Sequence, residues 1–282
     1  MVQQAQERGI RCPVCGSGEV KAIVSKTVFG TEFGVYQCKA PGCQHGFTYP
    51  LPSEAVLEKM YAEEGLNSYQ LDKEALKAFG AFFSHLFTDY VPRHFRKPGS
   101  LLDVGAGLGT FMDSAKSHGW EVHGIEFNEK SVELGRELFG LEIVHGNFYR
   151  LEDYFGDRKF DLINMNHVFE HVLQPLEYLD YLRRFLRPGG CVLITVPNIL
   201  SDDFKRDGAR WSYIHIPAHI SYFSRLSMDK LALTQAGGGR DRFEKVFQSS
   251  FNNPQQTEGE GLTSMYRFIH SRNPLRWRWS KA

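Results

Sequence analysis

Apolar residues along this chain fall into two alternating rhythms: short unbroken runs bounded by glycine or proline, and longer stretches where they recur every three or four positions. The first rhythm marks buried strands and the second amphipathic helices, and their alternation along the main part of the chain is an α/β pattern. Leu101–Val104 reads as a strand entering a glycine-rich turn. A helix follows from about Thr110 to His118, with Phe111, Ala115 and His118 on one face and a stop at Gly119. Trp120–Glu126 is the second strand. The helix after it, about Glu129–Phe139, carries Val132, Arg136 and Phe139 at repeated spacing and ends before Gly140, and Leu141–His145 is the third strand. Phe160–Asn166 is the fourth. Pro175 starts a helix through Leu186 with Leu176, Leu179, Leu182, Phe185 and Leu186 as its stripe, and Arg187-Pro188-Gly189-Gly190 breaks it before the apolar strand Cys191–Val196. Ser227 caps a helix to Gln235 that Gly237–Gly239 ends. Asn252–Glu260 is polar and reads as a loop.

The first part of the chain follows another pattern. Val20–Val24 and Gly34–Gln37 predict a hairpin, and from Pro52 the spacing turns helical, with Ser53 capping Glu54–Glu64 and a second helix over Leu71–Tyr90 before Pro92. Phe79, Phe82, Phe83, Leu86, Phe87 and Tyr90 give that second helix a wide aromatic face. It either packs on the next domain or, with Tyr61 and Tyr69, forms a lid. The predicted organisation is a small module over 1–50, a helical lead-in over 51–97 and the main domain over 98–282.

Composition narrows the function classes. The 282 residues carry 33 basic and 33 acidic side chains, a formal net charge of zero. That balance argues against a nucleic-acid partner. Met1–Arg8 has no apolar signal core and no run is long enough to span a bilayer, so the expectation is a cytoplasmic protein with no membrane partner. Four of the five cysteines sit near the N-terminus, as Cys12-Pro13-Val14-Cys15 and Cys38-Lys39-Ala40-Pro41-Gly42-Cys43. In a reducing compartment two such pairs at the ends of a hairpin suit a structural four-thiolate zinc site on Cys12, Cys15, Cys38 and Cys43, with His45 as the substitute ligand. Cys191 lies within an apolar run and reads as a buried strand residue.

The glycine turn carries the first chemistry. Gly105, Gly107 and Gly109 fall at alternate positions, and Thr110 stands where a dinucleotide fingerprint wants glycine or alanine. Asp103, two residues ahead, can meet an amine-bearing ligand, and Glu126 ends the next strand where a carboxylate can accept from both ribose hydroxyls. With Leu186-Arg187-Pro188-Gly189-Gly190 before an apolar strand, this order from about residue 100 to 200 resembles the class I S-adenosylmethionine (SAM)-dependent methyltransferases. The resemblance implies a Rossmann-like seven-stranded sheet closed by Arg242–Gln248 and Met265–His270, with SAM as cofactor. Its binding set would be Asp103, Gly105, Ala106, Gly107, Gly109, Glu126, Phe127, Asn147, Phe148, Asn164 and Asn166, Asn147 standing where the family often has an acid.

After the fourth strand come His167, Glu170 and His171, on one face if the segment makes a helical turn. Three roles compete: His167 or His171 as a general base, the trio on a catalytic divalent metal, or Glu170 and His171 orienting the loop by hydrogen bonds. The Glu-His pair resembles ubiquinone-pathway O-methyltransferases, where an acid three residues earlier joins it on a metal; His167 stands in that place here. Further on, the aromatic loop Arg210–Ser224 contains His215 and His219 around Pro217, and His219 and Tyr222 resemble a stretch recurring in this methyltransferase branch. His219 is therefore a pocket or base candidate.

The leading expectation is a SAM-dependent methyltransferase with an N-terminal zinc-ribbon-like module, acting at a hydroxyl oxygen of a small-molecule acceptor with a His as general base. Two alternatives stand beside it: an RNA methyltransferase whose zinc module grips RNA, and a non-catalytic SAM-binding or zinc scaffold. The Arg272–Trp279 tail mixes Arg and Trp and reads as a packed or partner-binding segment, with contact to nucleic acid as the alternative.

Overall fold

The computed structural model describes residues 9–64, 76, 80–81, 83–234, 242–251 and 261–269. The strands are β1 (Val20–Val28), β2 (Thr31–Cys38), β3 (Gly46–Tyr49), β4 (Ser100–Val104), β5 (Glu121–Glu126), β6 (Ile143–His145), β7 (Phe160–Asn166), β8 (Leu186–Pro197), β9 (Ser221–Tyr222), β10 (Arg242–Phe251) and β11 (Gly261–Ile269). Seven form one sheet in the order β10-β11-β8-β7-β4-β5-β6, and four form another in the order β1-β2-β3-β9. In the large sheet β8, β7, β4, β5 and β6 run parallel, and β11 lies antiparallel between β8 and β10. The five residues of β4 are all buried, as expected for a strand covered on both faces.

The strand order reverses between β4 and β7, which opens a crevice beyond their carboxyl ends. The helices on either side are α1 (Glu54–Glu64), α2 (Thr110–Ser117), α3 (Glu129–Phe139), α4 (Leu151–Phe155), α5 (Pro175–Arg183), α6 (Asp202–Asp207) and α7 (Arg225–Thr234). Phe83, Leu86 and Phe87 pack on Leu101, Phe111, Ala115 and Trp120, so the described part of the aromatic face is core. Tyr69, Phe79 and Phe82 lie outside the described residues, as do the side chain of Tyr61, the Asn252–Glu260 loop and the Arg272–Trp279 tail.

Three local expectations change. α5 ends at Arg183, not Leu186, because Leu186 leaves the helix to pair with Phe160 and the Arg187–Gly190 segment runs as the start of β8. α7 begins at Arg225 because Ser224, not Ser227, is the cap: Ser227 N donates to Ser224 Oγ at 3.0 Å and Ser224 N to Ser227 Oγ at 2.9 Å, a reciprocal pair. The N-terminal hairpin is longer than predicted and gains β3, whose residues Gly46 and Phe47 pair with Tyr222 and Ser221 of β9. The small sheet therefore crosses the boundary expected at residue 50.

Candidate active site and cysteine cluster

The glycine turn links β4 to α2. Gly105, Gly107 and Gly109 all have positive φ, at 70°, 54° and 82°. A Cβ at Gly105 would collide with Val168, whereas one at Gly107 would meet nothing within 4 Å. Gly105 is thus glycine for packing, and Gly107 borders open space where a ligand can approach the main chain. Glu126 ends β5 and anchors the turn: its carboxylate accepts from Gly107 N and from Asn128 N, each at 2.8 Å. Asp103 is 2% exposed and accepts from Asn164 Nδ2 at 2.7 Å, joining β4 to β7. Burial, with a smaller push from Glu126, raises its carboxyl to about 7 despite the Asn164 bond.

Phe127 is exposed and Phe148 half-buried beyond the ends of β5 and β6. Asn147 Oδ1 accepts from Tyr149 N at 2.9 Å, so this amide caps a turn, and its short acceptor is already engaged. Ala106 is held by its N–H to Ile125 O at 3.0 Å. Asn166 is half-buried at the end of β7. Open space at Gly107 and the Glu126 carboxylate therefore lie side by side at the carboxyl ends of β4 and β5.

The second half of the candidate site starts at His167, which takes a left-handed φ of 54° as β7 ends. Its N–H donates to Thr195 O at 2.8 Å, so this uncommon backbone geometry is held from β8. The predicted helical face does not form. Instead His167 Nδ1 donates to Glu170 Oε1 at 3.2 Å and its ring stacks on Tyr213, while Glu170 and His171 sit in a short 3₁₀ turn. His171 Nδ1 donates to Ala218 O at 3.0 Å and His219 Nδ1 to Tyr213 O at 2.9 Å. The rings of His171 and His219 meet edge to face at 4.7 Å.

Electrostatics separates these groups. Burial alone would raise Glu170, but the His167 bond and the nearby His171 and His219 hold it well below the usual carboxylate range. For His167 burial acts downward, and the hydrogen bond and charge of Glu170 outweigh it and raise the imidazole. His171 is lowered by burial, and His219 falls to about 3 through burial and His171. One ligand atom each of Glu170, His171 and His219 lies within 4.8 Å of the others, and Glu170 Oε2 is buried without a hydrogen-bond partner. His219 thus takes the place in the cluster that spacing assigned to His167.

The cysteines converge as expected. Cys12 Sγ lies 3.7 Å from Cys43 Sγ and Cys15 Sγ 3.5 Å from Cys38 Sγ, with all four inside 4.8 Å. A disulfide needs about 2.05 Å, whereas a tetrahedral ion with bonds of about 2.3 Å spaces its sulfurs about 3.8 Å apart. The donor set therefore fits zinc. His45 is not in the cluster: it is fully buried against Phe223, with Nδ1 3.4 Å from Ser227 Oγ. Sequence reasoning did not single out Thr48, whose Oγ1 donates to His219 O, or Tyr213 and Ala218, whose carbonyls accept from His219 Nδ1 and His171 Nδ1, although the last two lie in the aromatic loop Arg210–Ser224.

Residues 74–237, more than half of the chain, match the profile of a family described as "Methyltransferase domain". The chain is 27% identical over 199 residues to the mitochondrial ubiquinone biosynthesis O-methyltransferase of Dictyostelium discoideum, covering 64% of this chain and 54% of that protein. It therefore spans about half the length of that relative. It is also 27% identical over 187 residues to a demethylmenaquinone methyltransferase of Staphylococcus aureus, covering 63% of this chain and 70% of the relative. Among solved structures, the Burkholderia thailandensis 1,6-didemethyltoxoflavin-N1-methyltransferase, bound to its substrate and S-adenosylhomocysteine (SAH), shares the fold. Its TM-score is 0.53 at 16% identity, over 87% of this chain and 99% of that one. The strand order, the glycine turn with its Glu126 anchor and the family match agree, and the chain belongs to the class I SAM-dependent methyltransferases.

Proposed function

We propose that the protein methylates a hydroxyl oxygen of a small quinol-type acceptor, with SAM as donor and His167 as general base. The observation that carries this is the His167–Glu170 pair, at the end of β7 and next to Val168, which packs on the Gly105 turn. The acceptor class follows the ubiquinone and menaquinone names of the relatives. SAM, when bound, supplies an electrophilic methyl group on a sulfonium sulfur. Gly107 would give it close approach to the main chain, Glu126 would hold its ribose hydroxyls, and Phe127, Asn147 and Phe148 would border its adenine. His167 Nε2 takes the hydroxyl proton as the acceptor oxygen attacks. Buried Glu170 fixes the tautomer through Nδ1 and stabilises the imidazolium that results.

Replacing His167 with Ala tests this, using a soluble hydroxylated quinol as acceptor. Turnover should fall about 10²-fold or more while SAH affinity holds. The wild-type rate should rise with pH through a value above 6.5, because Glu170 raises the imidazole, and the variant should lose that limb. Full turnover in the variant, or a product methylated at carbon, refutes the assignment.

A second reading has one observation in its favour. Glu170 Oε2 is unpartnered beside His171 and His219, whose Nδ1 atoms are tied to carbonyls and leave Nε2 as acceptors, a two-His, one-carboxylate donor set. A divalent metal there would polarise the acceptor oxygen. The four thiolates are proposed to hold a structural zinc with no open position. The proposed organisation remains a module over 1–50, a lead-in over 51–97 and the SAM-binding domain over 98–282, in a cytoplasmic protein. No helix among the described residues is long and apolar enough to cross a membrane.

A further inference from the structure

The cysteine module and the acceptor side of the site share one sheet. After Gly46 and Phe47 pair with β9, Thr48 makes the next two bonds: its N–H donates to Ile220 O at 2.9 Å and its Oγ1 to His219 O at 2.7 Å. Thr48 is 4% exposed, so this hydroxyl has exchanged water for the carbonyl of His219 itself. On the other side of the loop, Ile220 N donates to Glu170 O at 2.9 Å and His171 Nδ1 to Ala218 O at 3.0 Å. The loop end is tied as well, since Ser224 Oγ donates to Cys43 O at 2.7 Å. Residues 218–224 therefore hang between the cysteine knuckle and the Glu170–His171 turn. The Gly105–Gly109 turn and Glu126 are tied elsewhere: Gly105 N and Ala106 N donate to Ile125 O of β5, Asp113 N of α2 donates to Gly109 O, and Gly107 N and Asn128 N donate to the Glu126 carboxylate.

We propose that Thr48 is a positioning residue for His219, and that the cysteine module is the clamp that fixes the acceptor side of the site independently of the SAM side. Only the turnover readout rests on the methyl-transfer reading. A loop without this tether would still be anchored at Glu170, and the His219 ring at Tyr213 O, but the His219 carbonyl would lose a buried donor and the main chain that carries the imidazole would no longer be held from β3.

The test uses the full chain with Thr48→Val and Thr48→Ser. Hydrogen exchange is followed over peptides covering 213–223, the His219 ring resonances by NMR, and SAH affinity by calorimetry. In Thr48→Val, exchange should rise about five- to tenfold and the His219 resonances should move, while SAH affinity stays within about twofold. Thr48→Ser should restore both, and turnover should track them. Unchanged exchange or unmoved His219 resonances in the Val variant overturns the proposal. So does failure of Ser to rescue, which would make the effect one of packing, or a parallel loss of SAH affinity, which would make the module a support for the whole domain. If the wild type transfers no methyl group to any quinol, the function reading fails while exchange, resonances and SAH affinity still decide this one.

Discussion

Asp103 offers a measurement of the site that needs no acceptor. It is buried, its carboxylate accepts from Asn164 Nδ2, and burial raises its pKa from 3.8 to about 7. A carboxyl whose folded value is raised favours folding below 3.8, and that contribution is lost as pH climbs through about 7. Between about pH 5 and about pH 8 the loss from this group alone amounts to about 2.5 kcal/mol. His45 and His219, both lowered to about 3 by burial, act the other way: they cost stability as pH falls below 6.5, since the unfolded chain then binds their protons. Asp103→Asn isolates the carboxyl, because the amide keeps an acceptor for Asn164 Nδ2 and carries no charge. In urea unfolding of the ligand-free protein, the variant should gain about 2.5 kcal/mol on wild type between those two pH values. A difference that stays constant with pH would show that Asp103 is ionised throughout, with its charge matched by a group other than Asn164, and would refute the burial argument.

Gly107→Ala should cost only the strain of a left-handed alanine, about 1 kcal/mol, because its Cβ meets open space, yet abolish measurable SAH binding in calorimetry. Retained affinity would move the cofactor away from this turn. Metal analysis of the purified full chain should find one zinc per chain, lost in Cys38→Ser; a metal-free folded protein would refute the four-thiolate site. Added cobalt should occupy a second position that His219→Ala removes and Cys38→Ser leaves, and binding of one equivalent in every variant would rule out the Glu170–His171–His219 site.

The alternating rhythms by themselves determined the α/β class, the order of β4 to β8 and the glycine turn, because periodicity and chain-reversing glycines are local properties. The paired cysteines were legible for a similar reason, as metal-ligand spacing is short-range within each knuckle. What tertiary structure decided is the acceptor side. Spacing put His167, Glu170 and His171 on one helical face, but His167 ends β7 with a left-handed backbone, turns to Glu170 and yields its place in the cluster to His219, far along the chain. It also took packing to pair β3 with β9 and bring Thr48 to His219, and to bury Asp103 with Asn164. Main-chain hydrogen bonds between distant segments depend on where strands end in space, and side-chain pattern carries no record of that.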